Sequence, residues 1–330
     1  MKPAVLPRVD WVPPALMLAI ALGALALIGN PSTWVTLTVA GLAMGLLIFI
    51  MSSGLTLVFG LMDVMNFAHG LFIAVGAYVA ASTMKLLSAA AGADSFAVNL
   101  GALVPALLAA AGAAALLGLF FERVIIRPVY GQHLKQILIT TGGMIVAEQL
   151  IHVLWGPDLL PLPRPAALRG SFLIGDMAIE KYRLIAVVVG LVVFAAMIVL
   201  LNRTKLGLLI RAGVENKEMV EAMGYRIRRL FVAVFVAGSA LAGLGGALWG
   251  MYQESVTVAI GAQMIVLIFI VIIIGGLGSV GGCFVGAILV GLVANYVGYL
   301  SPKIALGSNI LLMVMVLLWR PQGLYPVGKS

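Results

Sequence analysis

Thr36-Leu-Thr-Val-Ala-Gly-Leu-Ala-Met-Gly-Leu-Leu-Ile-Phe-Ile-Met-Ser-Ser-Gly-Leu-Thr-Leu-Val-Phe-Gly60 runs for 25 residues without a charged side chain. At about 1.5 Å per residue it makes a helix of about 37 Å, longer than the roughly 30 Å of bilayer hydrocarbon. Polar and apolar residues do not alternate in it, as they would in a strand of a membrane barrel. Nine further apolar runs accompany it, so candidate spans lie at 11–29, 36–60, 70–90, 98–121, 137–155, 184–201, 230–251, 258–275, 282–300 and 304–319. Within 258–300 a re-entrant piece would fit the same residues. The expected fold is an all-α integral membrane protein, a polytopic bundle of about ten transmembrane helices forming one domain over residues 1–330.

Composition agrees with this reading. Of 330 residues, 63% are hydrophobic and 10% charged, with mean hydropathy +1.17; soluble domains run near 45–50% and 25%. A chain so apolar could not cover itself in water, which excludes a soluble enzyme, and disorder needs the opposite composition. Cys283 is the only cysteine, so neither an intrachain disulfide nor a cysteine metal cluster is available. The net charge of +8 is mostly topology. With the N-terminus cytoplasmic, 14 of the 20 Lys and Arg fall inside and six outside, which supports N-in/C-in. Lys2 and Arg8 ahead of an apolar run, with Ala24-Leu25-Ala26, also fit a cleavable leader. Its removal would leave nine spans with unchanged topology.

Two loops stand out. The outer loop 156–183 carries Pro157, Pro161, Pro163 and Pro165 and is expected to be an irregular cap. The inner loop 202–229 holds seven Lys or Arg and three Glu. Five spans before the outer loop and five after it suggest two halves of opposite orientation, although no residue-level repeat is evident.

Several motifs bear on function. Gly323-Leu-Tyr-Pro-Val-Gly-Lys-Ser330 matches a phosphate-loop pattern, but a membrane span precedes it and no helix follows, so no nucleotide site is expected there. Glu215, Glu218, Met219, Glu221, Ala222, Met223 and Gly224 compose a short helix ended by a left-handed glycine. Met219, Ala222 and Met223 share its face, suited either to docking in a partner's groove or to lying on the bundle. Asp63, Asn66, Phe67, His69 and Gly70 interrupt an apolar stretch. A helical turn would align the three polar side chains along a substrate path; a polar hairpin at the cytoplasmic surface is the plainer reading. Gly275, Gly276, Gly278 and Ser279, within a stretch of five glycines in eight residues, offer a counterpart in the second half. Glu148 and His152, four residues apart, could relay protons but sit toward the outer end, where a structural role is favoured. Three scattered His exclude an obvious metal site, and nothing indicates nucleic acid as a partner.

Leu55 to Gly70, with Gly76-Ala77-Tyr78, resembles the signature of branched-chain amino acid ABC transporter permeases of the LivH type. The likeness continues through Arg203 to Gly207, Arg211-Ala212, Glu215-Asn216, Met223-Gly224, Gly275 to Gly282 and Pro321 to Leu324. The resemblance implies a non-catalytic permease working with a second homologous permease subunit, two cytoplasmic ATPase subunits and a periplasmic solute-binding protein. It implies ATP and Mg2+ only on the ATPases, a bacterial inner-membrane location, and a coupling role for Glu215–Gly224. The partial pattern Glu221-Ala222-Met223-Gly224 stands where a fuller coupling sequence is usual in such importers. Related systems carry urea, amides or aromatic acids, and an ion-coupled secondary transporter using Glu148 and Asp63 is the alternative class.

Overall fold

A computed structural model describes residues 11–325, apart from the side chains of Val214, Glu215, Lys217 and Leu306. The leader expected within 1–26 therefore lies partly outside the described residues, as do residues 326–330 of the phosphate-loop match.

The described helices are α1 (Val12–Ile28), α2 (Pro31–Met62), α3 (His69–Leu86), α4 (Ser88–Ala91), α5 (Phe96–Phe120), α6 (His133–Trp155), α7 (Lys181–Arg203), α8 (Lys205–Glu215), α9 (Lys217–Ala222), α10 (Ile227–Gln253), α11 (Ile260–Gly275), α12 (Val280–Leu300) and α13 (Pro302–Trp319). Seven are long and apolar enough to cross a membrane: α2, α3, α6, α7, α10, α12, and α5 with its extension to Val129. Shorter apolar helices at Val12–Ile28, Ile260–Gly275 and Gly307–Trp319 fall on the other three expected spans.

Local chemistry sets the edges. α2 starts five residues earlier than its apolar run because Asn30 caps it, Oδ1 accepting from Ser32 N–H (2.9 Å) and Thr33 N–H (3.2 Å), with Pro31 in the first turn. The expected span 70–90 is instead α3 followed by the short α4. α5 runs on through a π-helix (Phe121–Ile126) and a 3-10 turn (Arg127–Val129).

Pairwise contacts give each helix its direction. Ser52 meets Cys283 and Gly41 meets Leu292, so α2 and α12 are antiparallel. Phe67 meets Thr140 and Ser82 meets Trp155, so α3 and α6 run parallel. The apolar helices alternate, which leaves a basic end carrying Arg123, Arg203, Arg226, Arg229 and Arg320 and an opposite loop end carrying 156–183. The most buried helix is α2, whose side chains from Leu46 to Ile50 are at most 1% exposed. It is enclosed by α7, α10, α11 and α12. α6, α7 and α13 present leucine and valine outward, as helices bathed in lipid do.

The outer loop departs from the expected irregular cap. Two small antiparallel sheets organise it: β1 (Leu160–Pro161) pairs with β4 (Ser255–Val256), and β2 (Ser171–Ile174) with β3 (Met177–Glu180). The β2–β3 turn is Gly175-Asp176, with Gly175 at φ 59°, which suits a tight two-residue hairpin. The prolines obscured that signal.

Candidate translocation and coupling site

α2 stops at Met62 because Asp63 turns left-handed (φ 54°, ψ 39°) while its N–H still reaches Phe59 O at 2.9 Å. The chain is then irregular until His69 opens α3. This overturns the expected alignment of Asp63, Asn66 and His69, since no helical backbone joins them. Asp63 is exposed, its Oδ2 3.6 Å from His133 Nε2 at the start of α6. Asn66 is buried; its Oδ1 accepts from Ala68 N–H (3.1 Å), and Nδ2 has no partner among the described residues. His69 is buried with Nε2 2.9 Å from Met51 O. A carbonyl only accepts, so Nε2 donates. Phe67 stacks obliquely on Phe269, ring centres 5.0 Å apart, and its N–H reaches Thr140 Oγ1 at 3.3 Å.

Those bonds fix the depth of α3. Met51 lies eleven residues before the end of α2, about 16 Å along the helix. The His69 bond puts the start of α3 beside that point. The segment 63–68 therefore climbs back from the basic end into the bundle, and α3 starts near mid-depth. Non-helical backbone at such depth needs protein or a wet cavity around it.

A matching corner comes from the opposite end. α10 ends at Glu254, also left-handed (φ 56°, ψ 15°), six residues lead to Ile260, and α11 begins. Asp63 and Glu254 are the only positive-φ residues other than glycine among the described residues. Ala68 (φ −72°, ψ 1°) and Ala259 (φ −70°, ψ −6°) stand before α3 and α11 in one conformation. Asp63/Glu254, Ala68/Ala259 and Gly70/Gly261 are each 191 residues apart. Gly70 and Gly261 lie backbone against backbone: a Cβ on either would come within 2.5 Å of the other's carbonyl oxygen. Two half-depth helices thus enter from opposite faces and meet start to start. The two corners are thus inverted relative to each other, and the counterpart of 63–70 is Glu254–Gly261 rather than Gly275–Gly282.

Gly275, Gly276, Gly278 and Ser279 instead form the tight turn between α11 and α12 at the basic end. Gly276 and Gly278 are left-handed (φ 100° and 80°), and Ser279 Oγ accepts from Gly282 N–H at 3.1 Å. Pro321 to Leu324 explains itself here: Leu324 N–H donates to Ile274 O (2.8 Å) and Tyr325 N–H to Gly275 O (3.0 Å), satisfying the last carbonyls of α11. The two glycine-marked segments do come together, because Gly60 near the end of α2 packs on Gly278.

The inner loop 202–229 folds into α8 and α9. Asn216 caps α9, its Oδ1 2.9 Å from Met219 N–H. Gly224 (φ 85°) ends the turn while Tyr225 N–H reaches Val220 O at 3.3 Å, the glycine-capped stop expected. Val220 is buried, whereas Met219 and Met223 are 62% and 67% exposed, and Glu218, Glu221 and Ala222 are exposed beside them. The Glu215 side chain lies outside the described residues. α8 packs beneath the end of α2, with Gly213 against Leu61, so the loop touches the helix that carries the corner.

Sequence reading missed Glu122. It lies buried in the π-helix after α5, Oε1 accepting from Tyr130 O–H at 2.6 Å and Oε2 without a partner. Burial and that carboxylate raise the Tyr130 pKa, so the phenol stays a donor. Gln136 Nε2 donates to Val129 O (3.0 Å) and Thr140 Oγ1 to Gln136 O (2.7 Å), which carries this polar cluster to Phe67. A lone Glu in an apolar run was the available signal. Glu148 and His152 are half-buried on α6, and no ion pair joins them among the described residues.

The profile described as "Branched-chain amino acid transport system / permease component" matches residues 37–319. The chain belongs to that permease family. It is 30% identical to the high-affinity branched-chain amino acid transport system permease protein BraD of Pseudomonas aeruginosa, over 87% of this chain and 94% of that one. Against LivH of Escherichia coli K12 identity is 26%, covering 86% and 92%. Against LivM of the same bacterium it is 27%, covering 89% of this chain and 71% of LivM. This permease is thus a LivH-type, multi-pass, all-α membrane protein.

Proposed function

We propose that this chain is a permease subunit of an ATP-binding-cassette importer that moves branched-chain or related amino acids across a bacterial inner membrane. The family membership supports transport, and the exposed Met219/Met223 face is the single observation that carries the coupling. A short capped helix with two exposed methionines, next to a groove of ≈ 430 Å³ lined by Val220, Tyr225, Arg226 and Leu230, suits a soluble partner. On this reading the basic end is cytoplasmic. ATP and Mg2+ sit on two ATPase subunits, a second related permease stands alongside, and a periplasmic binding protein delivers the solute to the loop end. Similarity to both LivH and LivM supports a paired permease. Affinity purification of the tagged chain from native membranes tests the assembly. Two ATPase chains should co-purify; a lone chain that still transports would refute it.

Asp63, Asn66, Phe67, His69, Gly70, Gly275, Gly276, Gly278 and Ser279 border the inner part of the path in this proposal. The support is irregular backbone at depth and the free Asn66 Nδ2. Asn66→Ala and His69→Ala should each lower uptake at least tenfold at equal protein level. Unchanged uptake in both would remove the assignment.

A further inference from the structure

The two inverted corners are held very differently. At the basic end, the Asp63 carboxylate lies 3.6 Å from the His133 imidazole, its one ion-pair neighbour among the described residues, and both side chains are more than half exposed. At the loop end, Arg164 grips the corner, with its side chain only 12% exposed. Its Nε lies 3.2 Å from Glu254 Oε1 and donates to Met251 O at 3.1 Å. Nη2 donates to Tyr252 O (2.9 Å), and Nη1 pairs with Glu180 Oε2 (2.8 Å). The guanidinium also lies over the Tyr182 ring, 4.9 Å from its centre. One side chain thereby satisfies the last carbonyls of α10, the acidic residue that turns the chain, and the end of β3. Leu162 N–H donates to Glu254 O (3.0 Å), and the β1–β4 pairing adds a second tie.

We infer that Arg164 is a positioning residue that clamps the outer corner at Glu254 and so holds the approach to α11, whereas the inner corner at Asp63 is set without it. Arginine suits the role, because a planar fork reaches two carbonyls and two carboxylates at once, whereas lysine offers a single point charge. Removing it leaves the Met251 and Tyr252 carbonyls and the Glu254 carboxylate without their cation, while Glu180 keeps Arg183. The left-handed corner then rests on the Leu162–Glu254 bond and the β1–β4 pairing, and the approach to α11 loosens. The inner segment is held by other groups, the Asp63–His133 pair, Phe67 N–H on Thr140 Oγ1 and His69 Nε2 on Met51 O, none of which involves Arg164.

The experiment is thiol labelling from each side of the membrane. Cysteine replaces Val258 as the outer reporter or Val64 as the inner one, both buried, in a Cys283→Ala background. Each is combined with Arg164→Gln or Arg164→Lys and exposed to a membrane-impermeant methanethiosulfonate. Arg164→Gln should raise the outer labelling rate at least tenfold and leave the inner rate within twofold; Arg164→Lys should rescue only part of the change. Glu254→Gln should raise it similarly, and the double variant Arg164→Gln/Glu254→Gln should not exceed the larger single effect. Equal rises at both reporters would mean general loosening and overturn the inference, as would an unchanged outer rate. Labelling needs neither ATP nor partners, so failure of the importer reading would leave this result standing.

Discussion

Gly54→Leu abolishes the folded permease. Gly54 on α2 and Gly238 on α10 cross backbone to backbone, and a Cβ at Gly54 would overlap the Gly238 carbonyl. No side chain can swing away there, because the obstacle is main chain on the two most central helices. Overpacking commonly costs about 1–3 kcal/mol, and a backbone-to-backbone clash belongs at or above the upper end. Small residues at helix crossings matter more in lipid, where close packing rather than water exclusion holds helices together. Detergent-extracted protein should give no monodisperse peak, and thermal unfolding should be lost or lowered by more than 10 °C. Gly112→Leu is the control, since nothing lies within 4 Å of a Cβ there. If Gly54→Leu matched Gly112→Leu, the α2–α10 crossing would be wrong.

The second large effect concerns coupling. Met219→Glu with Met223→Glu places two carboxylates on a short helix that already carries Glu218 and Glu221. The fold does not need these methionines, since both are mostly exposed while Val220 supplies the buried contact. Anchors buried at an interface contribute about 2 kcal/mol or more each, about 30-fold in affinity. The double variant should reach the membrane at wild-type level, retain its thermal stability, and transport less than a tenth as fast. ATP hydrolysis by the partner ATPases should no longer respond to solute. Full coupling in that variant would show that the methionine face docks nothing.

Much of this was legible in the sequence. Ten apolar runs landed on ten apolar helices, because burial in lipid demands length and apolarity together, and both are written locally. The short capped helix at 217–222 was readable for the same reason: Asn216 and Gly224 act on their own neighbours. The pairing of the two inverted corners was not. Its members share three-dimensional shape at Asp63/Glu254 and Gly70/Gly261 but little side-chain identity, Asn66 and His69 being matched by Thr257 and Ile260. Five glycines in eight residues looked more conspicuous than that pairing, yet they make the turn between α11 and α12 and its flanks. Helical spacing of Asp63, Asn66 and His69 also misled, since a left-handed residue at the first position ends the helix before the spacing can act. Arg164 and Glu254, 90 residues apart, meet only through the fold.

Uptake by proteoliposomes tests the central claim most directly. The chain is reconstituted with its co-purifying subunits, solute-loaded binding protein outside and ATP inside. Radiolabelled branched-chain amino acid should accumulate only when ATP, binding protein and this chain are all present, and an imposed pH gradient should not replace ATP. Accumulation driven by a pH gradient in vesicles holding this chain alone would contradict the importer and support an ion-coupled transporter instead.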